Sequence, residues 1–239
     1  MSIPILMYHQ TDIAPPSGTP MRGLVVSPGA IFRQMLTLKC LGYKGLSMPD
    51  LMPYLQGKRK GKVVGITFDD GYQNNLTHAL PVLQNFGFSA TCYAVSSMMG
   101  AQNTWDLDIG VPQKNLMTKE NWLTWIAAGM DVGSHTQTHA DLSKLSASAA
   151  AQEIEGSRAE LQKTLGYEAL HFCYPYGRFN ASHAAMARDA GYQTATTTRR
   201  GRAVAGDPPY ELRRVLMTHA TTPLHLTLKV ISKYEDRRG

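Results

Sequence analysis

The stretch "VVGITFDDGYQNN", residues 63–75, decides how this chain is read. Val63 to Phe68 is an apolar, β-branched run of the kind that forms a strand buried on both faces. It ends in two adjacent carboxylates, Asp69 and Asp70, followed by Gly71. Like charges side by side at a strand mouth repel, and one carboxyl pKa is driven up. A divalent cation held by one carboxylate removes that cost and leaves the other free as a base. The bland alternative is a helix N-cap pair, since Asp suits the first turn and Gly71 permits a tight bend.

Working outward, short apolar runs recur at residues 3–8, 90–95, 130–133, 170–174, 192–197 and 215–218. Helix-like segments lie between them. Ser27-Pro28 reads as an N-cap and first helical position, with Ile31, Met35 and Leu38 following at helical spacing before Gly42. Thr118 opens a second segment closed by Gly129, residues 146–166 form the clearest helix, and Asn180 and Gly191 bound another. Strands alternating with helices predict a parallel sheet. About seven such units predict an α/β fold closed into a barrel, with residues 1–239 as one domain. In such a barrel, chemistry sits at the C-terminal ends of the strands.

The same rule singles out two more segments. In "VGSHTQTHADL", residues 132–142, His135 and His139 are four apart just beyond a strand. On a helical turn both imidazoles share one face and converge on a metal. Two histidines plus one carboxylate, with positions left for water, is the ligand set of a catalytic divalent site. In "HFCYPYGRFN", residues 171–180, a stiff Tyr174-Pro175-Tyr176-Gly177 turn ends another strand. It reads either as a wall of a sugar-sized pocket that aims a backbone N–H at an oxyanion, or as a β-turn with aromatic packing. Trp105, in "NTWDLDIG", reads as a lid aromatic over a sugar face, and Asp106 and Asp108 as loop acids.

Thr-Phe-Asp-Asp-Gly, Ser-His-Thr-x-x-His and Tyr-Pro-Tyr-Gly, in this order, resemble the motifs of the NodB-like polysaccharide deacetylases, carbohydrate esterase family four. The resemblance spans most of the chain. It implies a distorted (β/α)7 barrel that hydrolyses acetyl groups from carbohydrates. It also implies Asp69 as catalytic base and Asp70, His135 and His139 as ligands of one divalent metal, with Zn expected and Ni, Co or Fe as alternatives. The Tyr176 turn would contribute a backbone N–H to the oxyanion hole, with Tyr174 and Pro175 contacting substrate.

Two positions depart from the family pattern. Where many members carry an arginine that orients the base, this chain has Cys173, and Arg213 or Arg214 in "ELRRVLMTH" is the replacement, with Arg214 favoured. The general acid usually sits on a Leu-x-x-His motif near the C-terminus, which Leu216 to His219 fits. Leu6-Met7-Tyr8-His9 fits it as well. A subset that includes deacetylases of biofilm poly-N-acetylglucosamine resembles a circular permutation with this motif at the N-terminus, and favours His9.

Composition narrows the partners. A hydrophobic fraction of 43% against 18% charged residues excludes a disordered chain. No apolar run approaches the roughly 20 residues a bilayer crossing needs, and residues 1–12 lack the basic region, long apolar core and cleavage site of a signal peptide. Three widely spaced cysteines suit a reducing compartment. The expectation is therefore cytoplasmic or peripheral at a membrane face, unless a leader has been removed. The net charge of +6 comes largely from "GKRKGK", "TRRGR" and "EDRRG", without the interleaved aromatics of a nucleic-acid surface. These stretches read as solvated loops or as attraction to an anionic substrate or membrane. The expected partner is a carbohydrate bearing N-acetyl groups. Formamide, O-acetyl and lipid- or nucleotide-linked substrates, and a saccharide-binding protein without activity, stay open, as does the oligomeric state.

Overall fold

The computed structural model describes residues 2–238. Eight strands carry the architecture: β1 (Ile5–Tyr8), β2 (Lys44–Leu46), β3 (Val63–Phe68), β4 (Thr91–Ala94), β5 (Asp131–Ser134), β6 (His171–Cys173), β7 (Thr194–Arg200) and β8 (Leu212–Leu216). All but β2 form one parallel ring in sequence order, which closes because β1 pairs with β3 on one edge and β8 on the other. The short β2 lies along the first residues of β3. Helices α1 (Pro28–Cys40), α2 (Met48–Leu55), α3 (Leu80–Phe86), α4 (Lys119–Ala127), α5 (Ala147–Leu165), α6 (Ala181–Asp189) and α7 (Pro223–Ile231) complete the units. This is the expected (β/α)7 barrel. Among the described residues no helix is long and apolar enough to cross a membrane.

Local chemistry starts the helices where the sequence placed them. The side chains of Ser27, Thr118, Ser146 and Asn180 each accept a backbone N–H from the third helical residue. Three elements escape the sequence pattern. β2 is three residues long with Gly45 at its centre, α2 carries Pro49 and Pro53, and α7 starts at a Thr222-Pro223 cap that sequence reasoning passed over. Pro49 sits in the first turn, where a proline is tolerated, whereas Pro53 lies inside the helix and forgoes one backbone hydrogen bond.

Alternation along the strands decides which side chains enter the barrel. On β1, Leu6 and Tyr8 pack into the layer beneath the helices, where the Tyr8 hydroxyl donates to Gln34 of α1 at 2.8 Å. Ile5 joins a separate interior cluster. On β3, Val64, Ile66 and Phe68 likewise face the helices and Val63 the interior. The odd-numbered positions therefore point inward on both strands. That sends Thr67 and Asp69 from β3, and His9 from β1, into the barrel mouth.

Candidate metal and catalytic centre

Asp69 continues the β1–β3 ladder, its backbone N–H donating to the Tyr8 carbonyl at 2.9 Å. Its carboxylate is clamped by Arg214, with Nη1 2.6 Å from Oδ1 and Nη2 2.7 Å from Oδ2. Arg214 is fully buried, and its remaining donors reach the Thr197 carbonyl, the Thr67 hydroxyl and the Cys173 sulfur. Burial works to raise the Asp69 pKa, but the charge and hydrogen bonds of Arg214 override it and hold the carboxyl below its usual range. Asp69 is thus an ionised carboxylate in a dry wall. Arg213, one residue away, is exposed. Cys173 occupies the inward position on β6 and leaves room for the guanidinium that arrives from β8.

The second set is Asp70, His135 and His139. Nε2 of His135 lies 3.3 Å from Asp70 Oδ1 and Nε2 of His139 lies 3.4 Å from the same oxygen. His135 Nδ1 sits 2.8 Å from the Cys173 carbonyl, which can only accept, so Nδ1 carries the proton. In the neutral ring Nε2 then aims a lone pair at the carboxylate. Protonating both rings instead would set two imidazoliums with centroids 4.9 Å apart. One divalent cation would serve all three donors. Ligand atoms about 2.0–2.1 Å from a tetrahedral ion lie about 3.3–3.4 Å from one another, which is the spacing found. The residues fit such an ion.

The backbone at this site departs from the expectation in one respect. Residues 135–139 do not form a helical turn; they form an irregular loop with Thr136 at φ 67° and His139 at φ 62°. Asp70 and Tyr176 are also left-handed, at φ 74° and 57°. Such conformations cost non-glycine residues energy and persist where surrounding contacts enforce them. The two imidazoles converge through loop geometry, not through helical spacing.

The structure separates the two candidate general acids. His9 lines the cleft above Asp69, with Nε2 3.8 Å from Asp69 Oδ2. His219 is exposed, lies outside the cleft lining, and has its Nε2 2.7 Å from Arg22 Nη1. Trp105, expected as a lid over sugar, stacks on the His139 ring at 4.3 Å while still lining the cleft. Tyr176 meets the same ring edge-on and donates its hydroxyl to Asp106 at 3.1 Å. Asp106, read as a loop acid, is therefore part of the rim that sequence reasoning missed; its neighbour Trp105 was the available signal. Tyr174 lines the cleft from beneath, whereas Pro175 is buried and stands outside the lining.

Comparison with known proteins identifies the family. Residues 56–195 match the sequence family described as Polysaccharide deacetylase. The chain belongs to that family. The Bacillus subtilis protein YxkH is 30% identical over 215 residues, covering 89% of this chain and 70% of its own. The poly-beta-1,6-N-acetyl-D-glucosamine N-deacetylase of Staphylococcus epidermidis is 26% identical, covering 78% of this chain and 65% of its own. This chain thus spans about two thirds of the length of these curated relatives. Among solved structures, the deacetylase PplD of Streptococcus pyogenes in complex with acetate superposes with a TM-score of 0.84 at 27% identity, over 96% of this chain and 98% of that one. IcaB of Ammonifex degensii gives 0.79 at 25% identity, over 95% and 96%. In this polysaccharide deacetylase, His9 and Arg214 both lie outside the segment the family match covers.

Proposed function

We propose that the chain is a metal-dependent N-deacetylase that hydrolyses acetamides on amino sugars of a neutral glycan, with residues 1–239 acting as one catalytic domain. The observation that carries this reading is the pairing of two unlike carboxylates at one strand end. Asp70 faces two imidazoles, and Asp69 faces an arginine and His9. Asp70, His135 and His139 would hold the ion, Zn in the first instance. When bound, such an ion supplies Lewis-acid polarisation of the acetyl carbonyl and lowers the pKa of water. Asp69, kept ionised by Arg214, takes the proton from the attacking water. The backbone N–H at Tyr176 is assigned to the developing oxyanion. His9 delivers a proton to the leaving nitrogen, and acetate and a free amine depart.

The cleft also bears on the substrate. Among its described lining residues there is no Lys or Arg. The "TRRGR" cluster, read as a solvated loop or as attraction to an anionic substrate or membrane, pairs with acidic residues of the fold. Arg199 pairs with Glu211, Arg200 with Glu235 and Arg202 with Asp236. The "GKRKGK" loop leads into the start of β3, at the end of the barrel opposite the cleft. A phosphate-linked sugar would meet no Lys or Arg among these lining residues, which favours an uncharged N-acetylated glycan. The relatives named as poly-N-acetylglucosamine deacetylases support the same reading.

The test is acetate release by the Zn-supplied protein from β-1,6- and β-1,4-linked N-acetylglucosamine oligomers, beside N-formyl and O-acetyl analogues. Acetate from the N-acetyl oligomers, stopped by a chelator and restored by metal, is expected. His9→Ala should cost roughly 10²–10⁴ in kcat, the range of a general acid, and His219→Ala little. Release from O-acetyl esters alone would sink the amide reading, and a larger loss from His219→Ala the assignment of His9.

A further inference from the structure

The loop that carries the two imidazoles has no hydrogen-bond ladder of its own. Buried or half-buried backbone N–H groups need partners, and a loop outside helix and sheet must find them elsewhere. Those of residues 137 and 138 go to one side chain. Glu153 Oε2 accepts from Gln137 N at 2.9 Å and Thr138 N at 3.0 Å, while its Oε1 accepts from the Thr138 hydroxyl at 2.7 Å. Glu153 belongs to α5. Three further residues on α5, at i+3, i+4 and i+7, share that face.

Each of the three touches the same part of the barrel. A Cβ on Gly156 would lie 2.7 Å from Gln137 Oε1, so the glycine leaves room for the Gln137 amide against the helix. Ser157 Oγ is 2.6 Å from the hydroxyl of Ser134, the residue before His135. Glu160 accepts from the hydroxyls of Ser96 and Ser97 at 2.6 and 2.7 Å. The backbone N–H groups of those serines in turn donate to the carbonyls of Thr136 and Gln137. A helix that packs on a barrel normally presents an apolar stripe there. Here Glu153, Gly156, Ser157 and Glu160 replace part of it, in the sequence "EIEGSRAE".

We propose that this polar face of α5 is the brace that holds the metal-ligand loop in its left-handed turns, and that Glu153 is its positioning residue. Glu153 touches neither the donor atoms nor the cleft lining. It acts by fixing Gln137 and Thr138 between His135 and His139, so that both Nε2 atoms stay directed at Asp70. The inference rests on the metal-centre reading above. Partners that orient ligands in this way are worth roughly 10–100-fold in metal affinity.

The experiment is a competition titration of Zn²⁺ against a chromophoric chelator, with the wild type and the variants Glu153→Ala, Glu153→Gln and Glu155→Ala. Glu153→Ala should weaken the metal roughly 10–100-fold, and excess metal should restore kcat. Glutamine can accept both N–H groups with its carbonyl and donate to the Thr138 hydroxyl, so Glu153→Gln should stay within a few-fold of wild type. Glu155 is exposed on the same helix, and its removal should change nothing. Thr138→Val, which removes one of the three bonds, supplies the measurement if Glu153→Ala does not fold, with a smaller loss of affinity expected. Unchanged affinity in both Glu153→Ala and Thr138→Val overturns the brace and leaves the metal centre standing. A wild type that binds no divalent ion overturns both.

Discussion

The two ends of the barrel each bury an aspartate, and the partners that meet it differ. At the mouth, Asp69 is locked to Arg214 and its pKa is pushed down against burial. At the opposite end, Asp131 opens β5, and its carboxylate accepts the hydroxyls of Thr91 at 2.6 Å and Tyr167 at 2.7 Å. Burial there raises its pKa. The histidines follow the same division. His135 and His139 face a carboxylate, whereas His171, the first residue of β6, is fully buried beside the Thr194 hydroxyl, and burial lowers it to about 4. Burial alone pushes a titratable group toward its neutral form; burial beside a counter-charge favours the charged one.

The sharpest way to break this comparison is to remove each carboxylate's charge. Asp69→Asn should lower acetate release by roughly 10²–10⁴ or more, the share of a general base, with metal binding kept. Asp131→Asn should leave release within a few-fold of wild type. Equal losses in steady-state assays would erase the distinction between the two ends.

Next in size is the cost of unpairing a buried charge. Arg214→Met strands Asp69 in the wall and should destabilise the fold by about 3–5 kcal/mol in urea unfolding. Adding Asp69→Asn to it should recover part of that loss, because no unpaired charge then remains. A double variant no more stable than Arg214→Met would mean that the guanidinium matters for packing and not for charge.

The smallest effect belongs to the far end and appears in the pH dependence of stability. An unfolded histidine titrates near 6.5 and the folded His171 near 4. Between these values the unfolded chain binds a proton that the folded chain does not. Stability therefore falls as pH drops from about 6.5 to about 4, by up to about 3 kcal/mol from this residue. His171→Gln should flatten that slope when unfolding is followed in chelator, where the metal ligands contribute equally to both proteins. An unchanged slope would place the acid sensitivity at the mouth instead.

Legibility followed the range of the interactions. The barrel could be read because each strand and each capped helix is specified within about ten residues: β3 was placed residue for residue, and the helix starts at Ser27, Thr118 and Asn180 formed as read. β2 and α2 were hidden because a three-residue strand and a helix with two prolines carry little local pattern. The carboxylate pair and the two histidines could be named for the same local reason, being ligand types grouped at strand ends. The helical turn expected for residues 135–139 was wrong in its geometry, since the spacing of two residues does not determine the backbone between them.

By itself the sequence determined the barrel, the ligand types and the ends of the strands on which they lie, because apolar periodicity, caps and short motifs act between neighbours. Tertiary structure decided which of two arginines and which of two histidines enters the mouth. Arg214 meets Asp69 across 145 positions of chain, and His9 reaches it because β1 closes the ring between β3 and β8. Strand register assigns each side chain to the inner or outer face with a period of two. A one-residue difference therefore separates the buried Arg214 from the exposed Arg213, and only pairing between distant strands sets that register.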